Sequence, residues 1–248
     1  MVGKRALTRR RWLRVLWMRL AIRDGSAVLA SPSATGRREG QGRLVGVREV
    51  MVPGGRLVKW LENFGASHGE PVLSTVGGAL CGTAPDGSTF EARLPFGRGY
   101  GGPPDLDGFL SGVLPPDRWG VLLVRKGGFA VARMAGDAMV ESKVGQRHVQ
   151  GRTKAGGQSQ QRFARRRDNQ ARQAYEAATE HAARVLGQRL TALVTGGDHV
   201  AVDAVLDDPR LARFPVVAPW LAVPDPRRGV LEQAVADACS VRMSVTNR

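Results

Sequence analysis

Cysteine is nearly absent: Cys81 and Cys239 are the only two in 248 residues, and they share no motif. That excludes a disulfide framework and makes a reducing cytoplasm the natural home. Histidine is scarce as well. His68, His148, His181 and His199 lie far apart and none has a partner at zinc-like spacing, so no metal site is expected and no cofactor either. His148 lies ten residues before Gln158. Long apolar runs are missing too: nothing reaches the ~18 residues of a membrane span. Acids are in deficit, with 22 Asp and Glu against 37 Lys and Arg, a formal charge of +15. Of that, +9 falls in residues 1–50, so much of the imbalance belongs to the N-terminal tail.

The tail itself carries Thr8-Arg9-Arg10-Arg11-Trp12-Leu13-Arg14, which is similar to a twin-arginine export signal. Arg19, Arg23 and Asp24 interrupt the apolar core such a signal needs. Residues 8–22 are expected as a short basic amphipathic helix and Asp24 to Gln41 as a Gly/Ser-rich disordered linker. Met51 opens the first globular patterning, so translation from there is the alternative.

What is present is concentrated in one run, Lys154 to Arg167. It joins two adjacent glycines, Gly156 and Gly157, an uncharged amide, Gln158, and a basic helix start. Paired glycines let the backbone take positive φ and come close to a ligand, while the helix that follows aims free N–H groups at a phosphate. An ordinary flexible connector has the same composition, and only the surroundings decide. From Gln160 to about Arg189, apolar or small residues recur at steps of mostly three or four: Phe163, Ala171, Ala174, Tyr175, Ala178, Ala182, Val185 and Leu186. This predicts a helix of roughly 40 Å. Lys143 to Arg172 holds nine basic residues and one acid, Asp168. Arginines near a helix N-terminus oppose the macrodipole, so a polyanionic partner explains them better than helix stability does.

Here a resemblance becomes specific. Gly156, Gly157, Gln158 and Ser159, followed by Arg162, Phe163, Ala164, Arg165 and Arg167, match in place the Gly-Gly-Gln-Ser loop and Arg-Phe-Ala-Arg helix start in the central domain of eukaryotic and archaeal class I peptide release factors. The similarity runs more loosely from Trp119 to the end. Gly120 to Val124 and Gly128 to Ala132 read as two strands of a meander, Leu190 to Val194 as a strand, and Asp225 to Val245 as a closing loop, helix and strand. Those factors also carry a stop-codon-reading domain and a domain that contacts a GTPase, and neither is recognisable in this sequence. The chain therefore resembles more closely the Vms-like release factors, peptidyl-tRNA hydrolases of ribosome quality control, and within them the actinobacterial branch.

The resemblance implies an α/β fold with a mixed sheet of ribonuclease H-like topology and a long helix after the catalytic loop. It implies stop-codon-independent hydrolysis of peptidyl-tRNA on stalled large ribosomal subunits, with peptidyl-tRNA and rRNA as partners, a monomeric state and no membrane. Gly156, Gly157 and Gln158 would be catalytic; Arg152, Lys154, Ser159, Arg162, Arg165, Arg166 and Arg167 would bind RNA. In the Vms-like group the loop is often only Gly-x-x-Gln, which Gly157 to Gln160 also satisfies, so Gln160 is the alternative register. The residue before the glycines is usually arginine in release factors and is Ala155 here. Two other readings are a ribosome-associated nuclease that cuts the tRNA 3′ end and a non-catalytic ribosome- or RNA-binding protein.

The chemistry is consistent with the motif. Cleaving an ester on the 3′ ribose needs a positioned water, a stabilised tetrahedral intermediate and a leaving hydroxyl, none of which demands a titrating side chain. Elsewhere, Gly97 to Gly102 spells GxGxxG, but Pro103-Pro104-Asp105 follows instead of the helix a dinucleotide needs, so a loop is expected. Asp198, His199 and Asp203 read as a loop and cap. Leu57, Trp60, Leu61 and Phe64 predict a helix ending near Gly65 to Gly69, and Pro71 to Gly82 and Ser88 to Leu94 predict strands around Pro85-Asp86-Gly87. The expected layout is an extension over 1–50, a small α/β accessory region over 51–115 and a hydrolase domain over 116–248.

Overall fold

Ten strands in two five-stranded sheets, with five helices, make up the described part of this computed structural model, which covers residues 46–146, 158–187 and 189–248 and, within 158–171, the backbone alone. The expectations for residues 1–45 fall outside the described residues. Residues 47–248 form one compact unit.

The first sheet is antiparallel throughout, in the order β1 (Val47–Pro53), β10 (Ser240–Thr246), β4 (Thr89–Arg93), β3 (Ala79–Thr83) and β2 (Val72–Val76). Two helices cover one face, α1 (Leu57–His68) and α2 (Leu106–Val113). Leu57, Phe64, Phe109 and Val113 from the helices meet Leu80, Phe90, Val241 and Met243 from the strands. The helix expected from the Leu57 to Phe64 spacing is therefore present. The strand expected over Pro71 to Gly82 is instead two strands of a hairpin, β2 and β3. Gly77 and Gly78 take φ of 58° and 76°, the double positive φ of a two-residue type I′ turn that only glycine or a few polar residues adopt easily. The GxGxxG run is a loop, and Asp105 beyond it caps α2 by accepting a hydrogen bond from the Gly108 amide at 2.6 Å.

The second sheet is mixed, in the order β7 (Ala138–Gln146), β6 (Gly128–Ala135), β5 (Trp119–Arg125), β8 (Ala192–Gly197) and β9 (Val216–Leu221). β5, β6 and β7 form an antiparallel meander, while β8 and β9 run parallel to β5 and to each other. This is the ribonuclease H-like arrangement expected. β5 is buried on both faces, so its residues read as an unbroken apolar run instead of an alternation. On one side Leu122, Val124, Phe129 and Val131 pack against the long helix α3 (Gln158–Leu186) and α4 (His199–Leu206). On the other, Trp119, Val121, Leu123 and Ala130 pack against Leu231, Ala234 and Ala238 of α5 (Arg228–Ala238). The helix expected at Gln160 to Arg189 is thus α3, and the strands expected at Gly120, Gly128 and Leu190 are β5, β6 and β8.

Two expected boundaries do not follow the strands. The division between residues 50 and 51 cuts β1, whose Val47 to Val50 already pair with Thr246 to Met243. The division at 115/116 assigns the chain's last strand to the second half, yet β10 lies inside the first sheet between β1 and β4. The helix and strand expected over Asp225 to Val245 exist, but the strand closes the other sheet. The reason is burial: Val241 and Met243 are fully buried in the first core, beside Phe90 and Ala92. Met243→Ala should therefore lower the stability of the whole unit by about 2–4 kcal/mol, read from the urea midpoint; a cost near zero would mean that β10 is not central to the sheet.

Candidate nucleic-acid interface

The candidate loop lies between β7 and α3. Arg152, Lys154, Gly156 and Gly157, with His148, fall outside the described residues. Gln158 is the first residue of α3, and Ser159, Gln160, Arg162, Arg165, Arg166 and Arg167 follow within its first three turns. No acid stands in the first turn. At 100° per residue, positions 162 and 165 share a stripe of the helix with 158, while 160 and 167 fall on the opposite stripe. Further along, the packed positions are Ala174, Ala178, Ala182 and Val185.

The C-terminal half of α3 anchors the helix. The small residues Ala178 and Ala182 let it approach the sheet closely, and Gly120 on β5 is part of the same fit: a Cβ there would stand 2.7 Å from Leu186 and 3.2 Å from the Ala132 carbonyl. The buried Thr179 hydroxyl is satisfied by donating to the Tyr175 carbonyl at 2.9 Å. Tyr175 is half-buried, and burial followed by the charge of Asp198 raises the pKa of its phenol.

Polar clamps complete the anchoring. Arg133 on β6 donates from Nε to the Val185 carbonyl at 3.0 Å and from Nη2 to Glu141 at 3.3 Å. That satisfies one of the last carbonyls of α3 and sets a positive charge at the negative end of its dipole. Arg210, beyond α4, reaches Glu180 on α3 at 2.6 Å and Asp208 at 2.9 Å. The hydrogen bonds from Arg210 hold both carboxyls below the ordinary carboxylate range. The sequence reading missed both clamps. Their members stand 52 and 30 residues apart, and no local pattern links them.

The histidines have structural partners. His181 stacks on Phe129, ring centroids 5.4 Å apart, and His199 on Trp220 at 3.6 Å. His68 Nδ1 lies 2.8 Å from Asp86. Asp198 is the cap expected of it, accepting from the Val200 amide at 3.1 Å at the start of α4. Among the described residues no group of three His, Cys, Asp or Glu side chains could hold a metal. No described helix is long and apolar enough to cross a membrane. Both cysteines are free; burial pushes the Cys239 thiol up to about 12, which makes it inert.

The family model described as "Actinobacteria/chloroflexi VLRF1 release factor" matches residues 117–244, just over half of the chain. No curated protein matches. Among solved structures, an archaeal translation termination factor is 13% identical, with 77% of this chain and 64% of that one covered and a TM-score of 0.36. Pelota from Archaeoglobus fulgidus is 13% identical, with 81% and 65% covered and a TM-score of 0.24. The chain thus spans less than two thirds of the length of either.

The stacked His181 yields a pH dependence. Burial, then Lys143 and Arg184, hold its pKa below the usual histidine value. A histidine depressed in the folded state contributes stability in full above its unfolded pKa of about 6.5, and that contribution falls as the pH drops below it. His181→Phe should therefore lose less stability than the wild type between about pH 7.5 and about pH 5.5 in urea titrations. Equal losses would show that the imidazole titrates as in the unfolded chain.

Proposed function

This chain belongs to the actinobacteria/chloroflexi VLRF1 release factor family, and from that premise we propose that it hydrolyses the ester of peptidyl-tRNA on stalled large ribosomal subunits, without a stop codon, as a cytoplasmic monomer. The observation that carries this reading is the run Gly156-Gly157-Gln158-Ser159 leading directly into the basic start of α3.

In the proposed reaction a water attacks the ester carbonyl carbon, the tetrahedral intermediate collapses, and the tRNA 3′ oxygen leaves with a proton. Gly156 and Gly157 allow the backbone to approach the ribose closely. The Gln158 N–H donates to the developing charge or to the leaving oxygen, and its amide side chain orients the water and limits access to it. Helix N-terminal N–H groups and the dipole favour the same charge. Arg152, Lys154, Ser159, Arg162, Arg165, Arg166 and Arg167 hold RNA phosphates, with the large subunit's rRNA and the peptidyl-tRNA as partners. The remaining catalytic groups come from the ribosome. No acid–base constellation is required of this chain. The first sheet, with α1 and α2, supports the hydrolase sheet or grips the subunit.

The helical register supports Gln158 over Gln160, since position 158 shares its stripe with two of the basic residues, Arg162 and Arg165, and position 160 with Arg167 alone. The test is peptide release from isolated large subunits carrying peptidyl-tRNA. Gln158→Ala should lower release by at least about 100-fold, the scale of losing a charge-stabilising donor, while Gln160→Ala keeps most activity. Full activity in both variants refutes the mechanism, and loss in Gln160→Ala alone transfers the role to that residue. The released tRNA should retain its 3′ CCA; a shortened tRNA would instead identify a nuclease. Arg165→Ala should weaken binding and lower the salt slope by about one.

A further inference from the structure

At the C-terminal end of α3, several elements meet at one end of the second sheet. The start of β5, the end of β6, the start of β7, the last turn of α3 and the segment before β8 enclose a groove of about 460 Å³. Its apolar floor includes Met134, Leu186 and Leu190. Its walls carry four arginines, Arg118, Arg133, Arg184 and Arg189, and a single acid, Glu141.

The four arginines are not equivalent. Arg133 is committed to Glu141 and to the Val185 carbonyl, so the one acid of the groove is already neutralised. Arg184 stands in the last turn of α3, where the helix dipole accounts for a positive charge. Arg118 and Arg189 have no such account. Both are exposed, both line the groove, and among the described residues neither forms an ion pair. Three like charges around one groove repel one another, an arrangement that an anionic occupant relieves. Guanidinium forks pair with phosphate oxygens in two-pronged fashion, and they are spread here over three separate elements, which suits a chain of phosphates more than one small anion.

We infer that this groove is a second RNA-binding site, in which Arg118, Arg184 and Arg189 hold the phosphodiester backbone of an RNA helix. The inference rests on the reading above that the partner is RNA. With 28 residue steps between Gln158 and Leu186, the two sites stand roughly 42 Å apart along the helix. Lys143, on β7 and close enough to act on His181, adds a positive charge between the groove and the loop. Contacts at both ends of one rigid rod fix its direction on the RNA as well as its position.

The test measures binding of labelled deacylated tRNA and of isolated large ribosomal subunits over a range of salt concentrations. The groove variant is Arg118→Gln/Arg189→Gln. The control, Arg227→Gln/Arg228→Gln, removes the same charge from the exposed start of α5. Both are expected to keep the wild-type melting temperature, because the groove arginines hold no part of the fold together. The groove variant should bind about tenfold more weakly, with a log–log salt slope lower by about two, and Arg118→Lys/Arg189→Lys should restore the slope. Loss with free tRNA assigns the site to tRNA, and loss with subunits alone assigns it to ribosomal RNA. A groove variant that binds both like the control overturns the proposal, as does a loss confined to a polyglutamate probe, which would mark an acidic protein surface. If Gln158→Ala and Gln160→Ala both release peptide like the wild type while the groove variant loses RNA binding, the hydrolytic reading fails and the groove stands.

Discussion

The parallel pairing of β5 with β8 is the constraint on which the rest of the second sheet depends. Antiparallel neighbours can be joined by two residues, whereas parallel neighbours need the chain to return to the starting edge. Here the return consists of β6, β7, the loop and α3. The helix must therefore run from the far end of the sheet back to the end where β8 begins. Twenty-nine residues make it longer than any strand beneath it, β7 at nine residues reaching about 30 Å. The same connection that closes the sheet also creates a rod with one end bolted to a core. Ala178, Ala182 and Val185 fix that end by packing, and Arg133 and Arg210 fix it by hydrogen bonds.

Much of this was legible in the sequence wherever the signal is local. β5 and β6 stand out as unbroken apolar runs because both faces of the sheet are covered, and α3 stands out because its packed positions recur at helical spacing over several turns. The Gly-Gly-Gln run is legible for the same reason, since its parts are contiguous. The losses have a physical pattern too. The β2–β3 hairpin was read as one strand because a two-residue turn interrupts the strand pattern only at Gly77 and Gly78. Capping by Asp105 and the spacing of Leu106, Phe109 and Val113 do encode α2, but the glycines and prolines just before it dominated the reading. The partner of β10 is not encoded locally at all: alternation in Val241 to Val245 specifies a strand, and only burial against Phe90 and Ala92 selects the sheet. Arg118, Arg184 and Arg189 are unremarkable in a basic sequence and converge only through the topology.

The segment between the two sheets carries its own strain. Phe96 is 4% exposed and holds φ at 62°, an unusual value for a bulky side chain that costs on the order of 1–3 kcal/mol. Its ring sits edge-on to Trp119, centroids 4.9 Å apart, and the Trp119 indole N–H donates to the Gly136 carbonyl at 2.8 Å. Trp119 is the first residue of β5, so a ring from the connector is pinned at the start of the most buried strand. A side chain of the connector thereby fastens the segment between the two sheets to the second sheet.

The place of β10 also sets an order of events during synthesis. β1 and β4 both hydrogen-bond to Ser240–Thr246 and not to each other, so a growing chain carries two open strand edges for as long as those residues are inside the exit tunnel. The second sheet contains no strand beyond Leu221 and can assemble earlier. The first sheet closes only through contacts that span most of the sequence, the kind that form slowly. Closure of the first sheet is therefore postponed until residues 240–246 have emerged from the exit tunnel.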